Sequence, residues 1–216
     1  MKAWQHFLTI TEHKWLVMKF CFSVGLYKQG LLHDMSKYSP TEFLVGAQYF
    51  QGNRSPNNAE REEKGYSSSW LHHKGRNKHH FEYWIDYSGK KELGLVGMRM
   101  PIKYVIEMFM DRVAACKIYQ RENYNPTKPL EYYEKGYAAA YLHKDTARML
   151  RFLLKKLADE GEQSAFSYAR KMLYVETIRE RNREIERKKR LKAQGKRNTH
   201  KIRQLTDSIK SKQRAL

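Results

Sequence analysis

The stretch LLHDMSKYSPTEF, residues 31–43, sets a histidine beside an aspartate, with Lys37 three residues after Asp34. Farther along, SSSWLHHKGRNKHHFEYW carries two histidine pairs, His72-His73 and His79-His80. Five of the nine histidines, together with Asp34, fall between His33 and His80. Imidazole nitrogen and carboxylate oxygen in one place suit divalent iron, manganese, zinc and related ions. A protein metal site draws its ligands from several elements, and two more candidates are available. His13 stands in a helical-looking stretch. Asp111 stands in EMFMDRVAA, an acid among apolar residues, and burying a lone charge is costly without a partner. A metal ion would be one partner; Arg112 or Lys103 would be another.

Each candidate also has an ordinary reading. His13 suits a helix surface. Asp34 suits a helix cap and His33 a helix C-terminal dipole. His72 and His73 cannot both face one site if they are helical, because adjacent helical residues point about 100° apart. Lys37 suits a plain surface or a phosphate contact. Arg76, Lys74 and Lys78 suit a solvated face or a rim that binds a substrate phosphate. Glu82 could pair with Arg76 or orient a ligand histidine. His143 reads as a helix-hairpin residue. His6 and His200 stand outside the pattern. Trp4, Trp15, Trp70 and Trp84 read mostly as core.

The elements that must position these residues read as helices. Trp4, Phe7, Leu8, Trp15, Leu16, Phe20 and Val24 recur at spacings of three and four, predicting a long first helix that ends near Gly25 or Gly30. Ser39, Pro40 and Glu42 have the order of a capping box, which predicts a second helix over 40–50. His33 and Asp34 therefore fall at a junction between helices. Residues 51–66 are polar and rich in turn formers and read as a loop, as do residues 86–100 with their three glycines. SSSWLHH and HHFEYW read as short helical pieces. Pro101 opens a strong helix through PIKYVIEMFMDRVAACKIYQ. Two more helices are expected over 130–143 and 145–159, the second capped by Asp145 and closed by Gly161. A last helix is expected to turn almost wholly charged and to fray after Gly195. Alternating β-branched runs are missing, so the fold class is all-α. A compact helical domain over 1–165 is followed by a long basic helical tail over 166–216.

The order His…His-Asp…Asp resembles that of the HD-domain superfamily, which is all-helical and comprises metal-dependent phosphohydrolases. His13, His33, Asp34 and Asp111 match its ligand order one by one. A single histidine and then a His-His pair between the His-Asp pair and the last Asp resemble its two-metal subgroup. His72 or His73 would fill the single position, and His79-His80 the pair. HDMSK is similar to the HDxGK of GYP-type cyclic-dinucleotide phosphodiesterases, which implies a phosphate contact for Lys37. Ser36 stands where that motif has glycine, and no Gly-Tyr-Pro motif is present, which argues against cyclic dinucleotides. HDMSKYSPTEF and HHKGRNKHHFEYW also resemble a bacterial and phage family of unknown function over residues 10–155.

Composition sets the outer bounds. The chain has 216 residues, 41% of them hydrophobic, which suits a globular domain with an appendage. The cysteines Cys21 and Cys116 are isolated, which gives neither a disulfide framework nor a zinc ribbon. No apolar run is long enough to span a bilayer, and Glu12, His13 and Lys14 fall where a signal peptide would be apolar. A cytoplasmic location is the expectation. The net charge of +19 is uneven: residues 170–216 hold 17 Lys/Arg against 5 Asp/Glu. Such a tail favours anionic partners, including non-specific nucleic acid, or serves only to solubilise.

The expected function is a metal-dependent phosphohydrolase acting on a small, anionic phosphorylated or nucleotide substrate, with one or two divalent ions. His13, His33, Asp34, Asp111 and the 72–80 histidines are the expected ligands. Asp34 and Lys37 are expected to act in catalysis, with Lys37 and Arg76 contacting substrate. Two other classes use the same features: an HD-like di-iron oxygenase, and a non-enzymatic helical module that grips nucleic acid through its tail.

Overall fold

The computed structural model describes residues 1–213, with side chains described through Gly195 and at Thr199 and Arg203. Nine α-helices and one two-stranded ribbon are present among the described residues. Helix α1 spans Lys2–Val24, α2 Tyr27–Leu32, α3 Pro40–Gln48, α4 Pro56–Lys64, α5 Ser68–Lys74 and α6 Ile102–Gln120. Helices α7 (Lys128–Lys135), α8 (Ala138–Tyr141) and α9 (Lys144–Gln213) follow. Strands β1 (Ile85–Tyr87) and β2 (Leu95–Gly97) pair antiparallel, Asp86 opposite Val96. The chain falls into two compact units, Met1–Leu173 and Tyr174–Leu216.

Helix α6 is central to the first unit. Val105 through Met110 are all buried, so it is enclosed nearly all round, as a helix apolar on every face should be. Val17, Phe20, Cys21 and Val24 of α1 join Val105, Ile106, Phe109, Met110 and Val113 of α6 in one core. Leu150, Leu153, Leu154 and Leu157 of α9 complete it. Gly25 ends α1 in the left-handed conformation that glycine adopts without strain, at φ 92°. Gly30 lies inside α2, where a Cβ would crowd Cys21 and Phe22.

The all-α class holds, and several local expectations change. The polar stretch 51–66 contains helix α4, opened by Ser55-Pro56 as α3 is opened by Ser39-Pro40. Its only buried residues are Ala59 and Glu60, so no apolar stripe announced it. The 86–100 loop folds as the β1–β2 ribbon. The stretch expected as one helix over 130–143 breaks at Gly136 into α7 and α8. At the start of α9, His143 Nδ1 accepts from the backbone N–H of Asp145 at 3.2 Å, so the histidine caps where Asp145 was expected to. Gly161 is non-helical (φ 80°, ψ 178°) and divides α9 into two helical segments, as expected, and the backbone stays helical past Gly195 to Gln213. Ala165 and Ala169 are fully buried, so the first unit extends beyond the boundary expected at 165. Trp4 and Trp15 are exposed at 64% and 57%, on the face of α1 away from the core.

In the second unit, Ile178, Ile185 and Leu191 are exposed, and intrahelical pairs such as Lys188–Glu184 lie between them. Among the described residues, no helix is long and apolar enough to cross a membrane.

Candidate metal centre

Helix α1 brings His13 to the junction that carries His33 and Asp34. The neighbouring Lys14 fastens that junction: its Nζ donates to the carbonyls of Leu31 at 2.7 Å and His33 at 3.0 Å, satisfying the C-terminal end of α2. Asp34 then takes a left-handed conformation (φ 53°, ψ 24°), which Asp tolerates better than most residues. That turn lets two adjacent side chains point into one pocket, which a continuous helix would forbid. From the opposite side α6 presents Glu107 and Asp111, four residues apart on one face. Helix α5 supplies His73, and the turn after it supplies His79 and His80. Asn77 ties that turn to His73 and Ser36, and Trp84 Nε1 donates to the Lys78 carbonyl at 2.8 Å.

Asp34 is the hinge of the arrangement. Its Oδ2 faces His33 Nε2 at 3.4 Å and His13 Nε2 at 3.7 Å. Its Oδ1 faces His73 Nε2 at 3.2 Å and His79 Nε2 at 3.3 Å. Asp111 Oδ1 lies 3.0 Å from His13 Nε2 and 3.5 Å from His33 Nε2. His80 Nε2 meets His73 Nε2 at 2.8 Å. Two groups that share Asp34 therefore have their donor atoms within 4.8 Å of one another: His13, His33, Asp34 and Asp111, and Asp34, His73, His79 and His80. Each group can hold a metal ion. The unsatisfied atoms agree with this. Of nine buried side-chain atoms without a hydrogen-bond partner among the described residues, five are His13 Nε2, His33 Nε2, His79 Nε2 and both oxygens of Asp34. His13 Nε2 is close to Asp111 but poorly aligned for a hydrogen bond. Buried polar atoms are normally paired; the Lys37 ammonium already lies 2.6 Å from Asp34 Oδ2, and a metal cation would pair the others.

Outer carboxylates hold the imidazoles. Glu107 Oε1 accepts from Nδ1 of His33 at 3.1 Å and lies 3.2 Å from Nδ1 of His79. Glu42 accepts from Nδ1 of His73 at 2.7 Å and of His72 at 2.6 Å. Ser36 Oγ lies 3.2 Å from His73 Nδ1 and accepts from Asn77, work that a glycine at position 36 could not do.

The charges are strongly coupled. Burial works against ionising Asp34, but His33, Lys37 and His73 hold its pKa well below the ordinary carboxylate value. Burial likewise opposes ionisation of Asp111, and His13 and His33 override it. Burial alone would lower His79, but the carboxylates of Asp34 and Glu107, 3.3 and 3.2 Å from its two ring nitrogens, lift it to about 10. His80 is pushed well below the usual histidine value by burial and by His79 and His73. Lys37 is raised despite burial by Asp34 and Asp111, so it stays charged, with Nζ 2.6 Å from Asp34 Oδ2.

The centre gathers His13, His33, Asp34, His73, His79, His80 and Asp111, with Lys37 against them. It does not gather His72, whose Nδ1 is taken by Glu42 and which belongs to neither group. Nor does it gather Arg76, which is exposed and donates to the His72 carbonyl at 3.1 Å. The rival partners of Asp111 are engaged elsewhere: Arg112 lies over Tyr133 and Lys103 over Tyr104. Glu42 does not close a capping box, since Ser39 makes no side-chain cap and Glu42 turns to the two histidines instead. Glu107 was not anticipated. Its signal was the one that marked Asp111, an acid in an apolar helix, displaced by one turn.

The model of a family described as being of unknown function, DUF5662, matches residues 2–156, a span that includes every residue of this centre. No curated protein and no solved structure matches the chain.

Proposed function

We propose that the chain, which belongs to the family of unknown function DUF5662, is a metal-dependent phosphohydrolase acting on a small phosphorylated or nucleotide substrate. The observation that carries this reading is the division of Asp34: one carboxylate oxygen turned to His13 and His33, the other to His73 and His79. A carboxylate so placed suits two divalent ions held side by side, the arrangement that clamps the attacking and leaving oxygens of a phosphoryl group. The donor set is nitrogen and oxygen with no thiolate, since Cys21 packs into the core, which favours iron, manganese or zinc. The HD-like order of ligands points to the same chemistry.

A bound divalent ion would lower the pKa of a coordinated water from about 15.7 towards 7 and so supply a nucleophile at neutral pH. The residues provide the rest. Asp34 and Asp111 are ionised and offset the positive charge of the ions. The Nδ1 contacts of His33, His73 and His79 with Glu107 and Glu42 leave their Nε2 atoms turned inward. Lys37 has a side chain 28% exposed beside Asp34, where its ammonium can neutralise charge developing on a phosphate. Arg76 could serve only at the rim.

The test is metal content of untagged protein, followed by a panel of phosphomonoesters, phosphodiesters and nucleotides with Mn, Co, Ni, Zn and Fe(II). Metal-dependent phosphate release that is lost in Lys37→Ala and Asp34→Ala supports the reading. Oxygen uptake with Fe(II) and no phosphate release would replace it with the di-iron oxygenase. Metal-free protein without turnover would leave a binding module.

A further inference from the structure

We infer that Glu107 is a positioning residue that locks the two halves of the centre into one unit, by fixing one imidazole of each half. The inference rests on the two-ion reading above and adds a second carboxylate to it. His33 belongs to the first group and His79 to the second. Their rings lie 4.3 Å apart, tilted by 34°. On one side, Asp34 faces Nε2 of both rings; on the other, Glu107 Oε1 faces Nδ1 of both. Asp34, His33, Glu107 and His79 thus form a closed ring of contacts, two imidazoles between two carboxylates.

The chemistry of that ring is constrained. Ionised carboxylate oxygen only accepts hydrogen bonds, so each Nδ1 facing Glu107 must carry its proton. Each Nε2 is then the atom free to bind a metal. One oxygen serves both rings, so a displacement of Glu107 turns both. Glu107 is buried on α6, four residues before Asp111, which ties the ring to the most enclosed helix of the fold. Glu42 contrasts with it. It accepts from His73, a member of the second group only, and from His72, a member of neither. A shared support should couple the ions, and a one-sided support should not.

His33, His79 and Glu107 also form a compact group of donor atoms. A third ion there would use Nδ1 of both rings, the atoms already pointed at Glu107 at hydrogen-bond distance. The geometry assigns that group to orientation of ligands rather than to ligation.

The experiment uses the full chain, titrated with Zn(II) or Co(II) after chelation, as wild type, Glu107→Gln and Glu42→Gln. Wild type should bind two equivalents. Glu107→Gln keeps the size of the side chain and removes its charge, and should weaken both equivalents by about 10- to 100-fold. Glu42→Gln should weaken only one. Loss of a single equivalent in Glu107→Gln, with the other at wild-type affinity, would overturn the inference. So would three equivalents in wild type of which Glu107→Gln removes only the third. If Glu107→Gln fails to fold, nitrogen-15 spectra of the wild-type imidazoles decide: His33 and His79 should both be protonated at Nδ1, and a bare Nδ1 on either ring overturns the proposal. Metal-free wild type would refute the two-ion reading, and the protonation of the two rings would still test the role of Glu107.

Discussion

His13 and Asp111 stand on α1 and α6, helices of 23 and 19 residues, whereas His73 stands on a helix of 7 residues and His79 and His80 on the turn after it. The long helices are fixed by apolar burial: Val17 and Phe20 follow His13 by one to two turns, and Ile106, Phe109 and Met110 flank Glu107 and Asp111. The second half has little of this. Its framework is polar. Glu60, fully buried on α4, accepts from the hydroxyls of Ser67 at 2.7 Å and Ser68 at 2.6 Å, which fastens the start of α5. Glu42, Ser36 and Asn77 hold the other end. Apolar burial is non-directional and tolerates small shifts, while a buried hydrogen-bond network sets positions sharply and fails when one member is lost. The first half should therefore open only with the whole fold. The second should be able to loosen alone.

The largest effect is expected where the halves meet. Asp34→Asn removes the one charge that both groups share and should cost metal affinity of at least about 100-fold at both equivalents. Metal content after dialysis measures it. Retention of one equivalent at wild-type affinity would mean that Asp34 is not a shared ligand.

Next come variants confined to one half. Asp111→Asn should remove the equivalent held with His13 and His33 and spare the other. His80→Gln should do the reverse. Cobalt titrations followed by absorbance resolve the two. Equal loss of both equivalents in each variant would erase the distinction between the halves, and would point to ions that bind only as a pair.

A smaller, local effect is expected at Glu60. Glu60→Ala leaves the hydroxyls of Ser67 and Ser68 without their acceptor in a buried site and should cost about 2–3 kcal/mol. The loss should appear as faster hydrogen exchange in α4 and α5, with α6 unchanged. Acid should act similarly. Burial opposes ionisation of Glu60, yet the serine hydrogen bonds lower its pKa from 4.5 to about 2. The stability it contributes is therefore complete above about pH 4.5 and is lost as pH falls towards 2. Exchange in α4 and α5 that stays as slow as in α6 across that window would show an apolar anchor that the contacts do not reveal.

The same contrast governs what the sequence made legible. α1 and α6 are readable as helices because apolar residues recur densely along them, although Trp4, Leu8 and Trp15 of the α1 pattern lie exposed, and Asp111 is readable because it interrupts an apolar run. Helix α4 looks like loop in the sequence because its anchor is the carboxylate of Glu60 and not an apolar stripe. Glu42 looks like a capping residue because the Ser-Pro-x-Glu order has a local explanation, and nothing local reveals that His72 and His73 lie opposite it. The adjacent pairs could not be sorted from spacing alone. A left-handed turn lets His33 and Asp34 face the same way, while helix α5 turns His72 aside and His73 inward. Such outcomes depend on backbone conformation and long-range pairing, which a single sequence does not display.

The smallest effect on either half should come from removing the second unit. Every residue of the centre lies at or before Asp111, and among the described residues Ala169 is the last that is buried. In the second unit, Ile178, Ile185 and Leu191 are exposed at 37%, 42% and 57%, too sparse a stripe to bury a helix of that length. A chain ending at Leu173 should keep both metal equivalents, and its stability should change by no more than about 0.5 kcal/mol. It should lose charge-driven binding to polyanions. Residues 170–216 carry 17 Lys/Arg against 5 Asp/Glu, and each phosphate they neutralise releases counterions. Binding of the full chain to DNA or RNA should therefore weaken steeply between 50 and 200 mM salt, roughly tenfold or more for each two to three phosphates contacted, with little sequence preference. A tail that only solubilises would give no salt-sensitive binding in either chain. If the shortened chain unfolds, or if it sheds metal from one half alone, that half draws on the second unit. If it keeps the polyanion affinity, the basic surface belongs to the first unit, beside the centre.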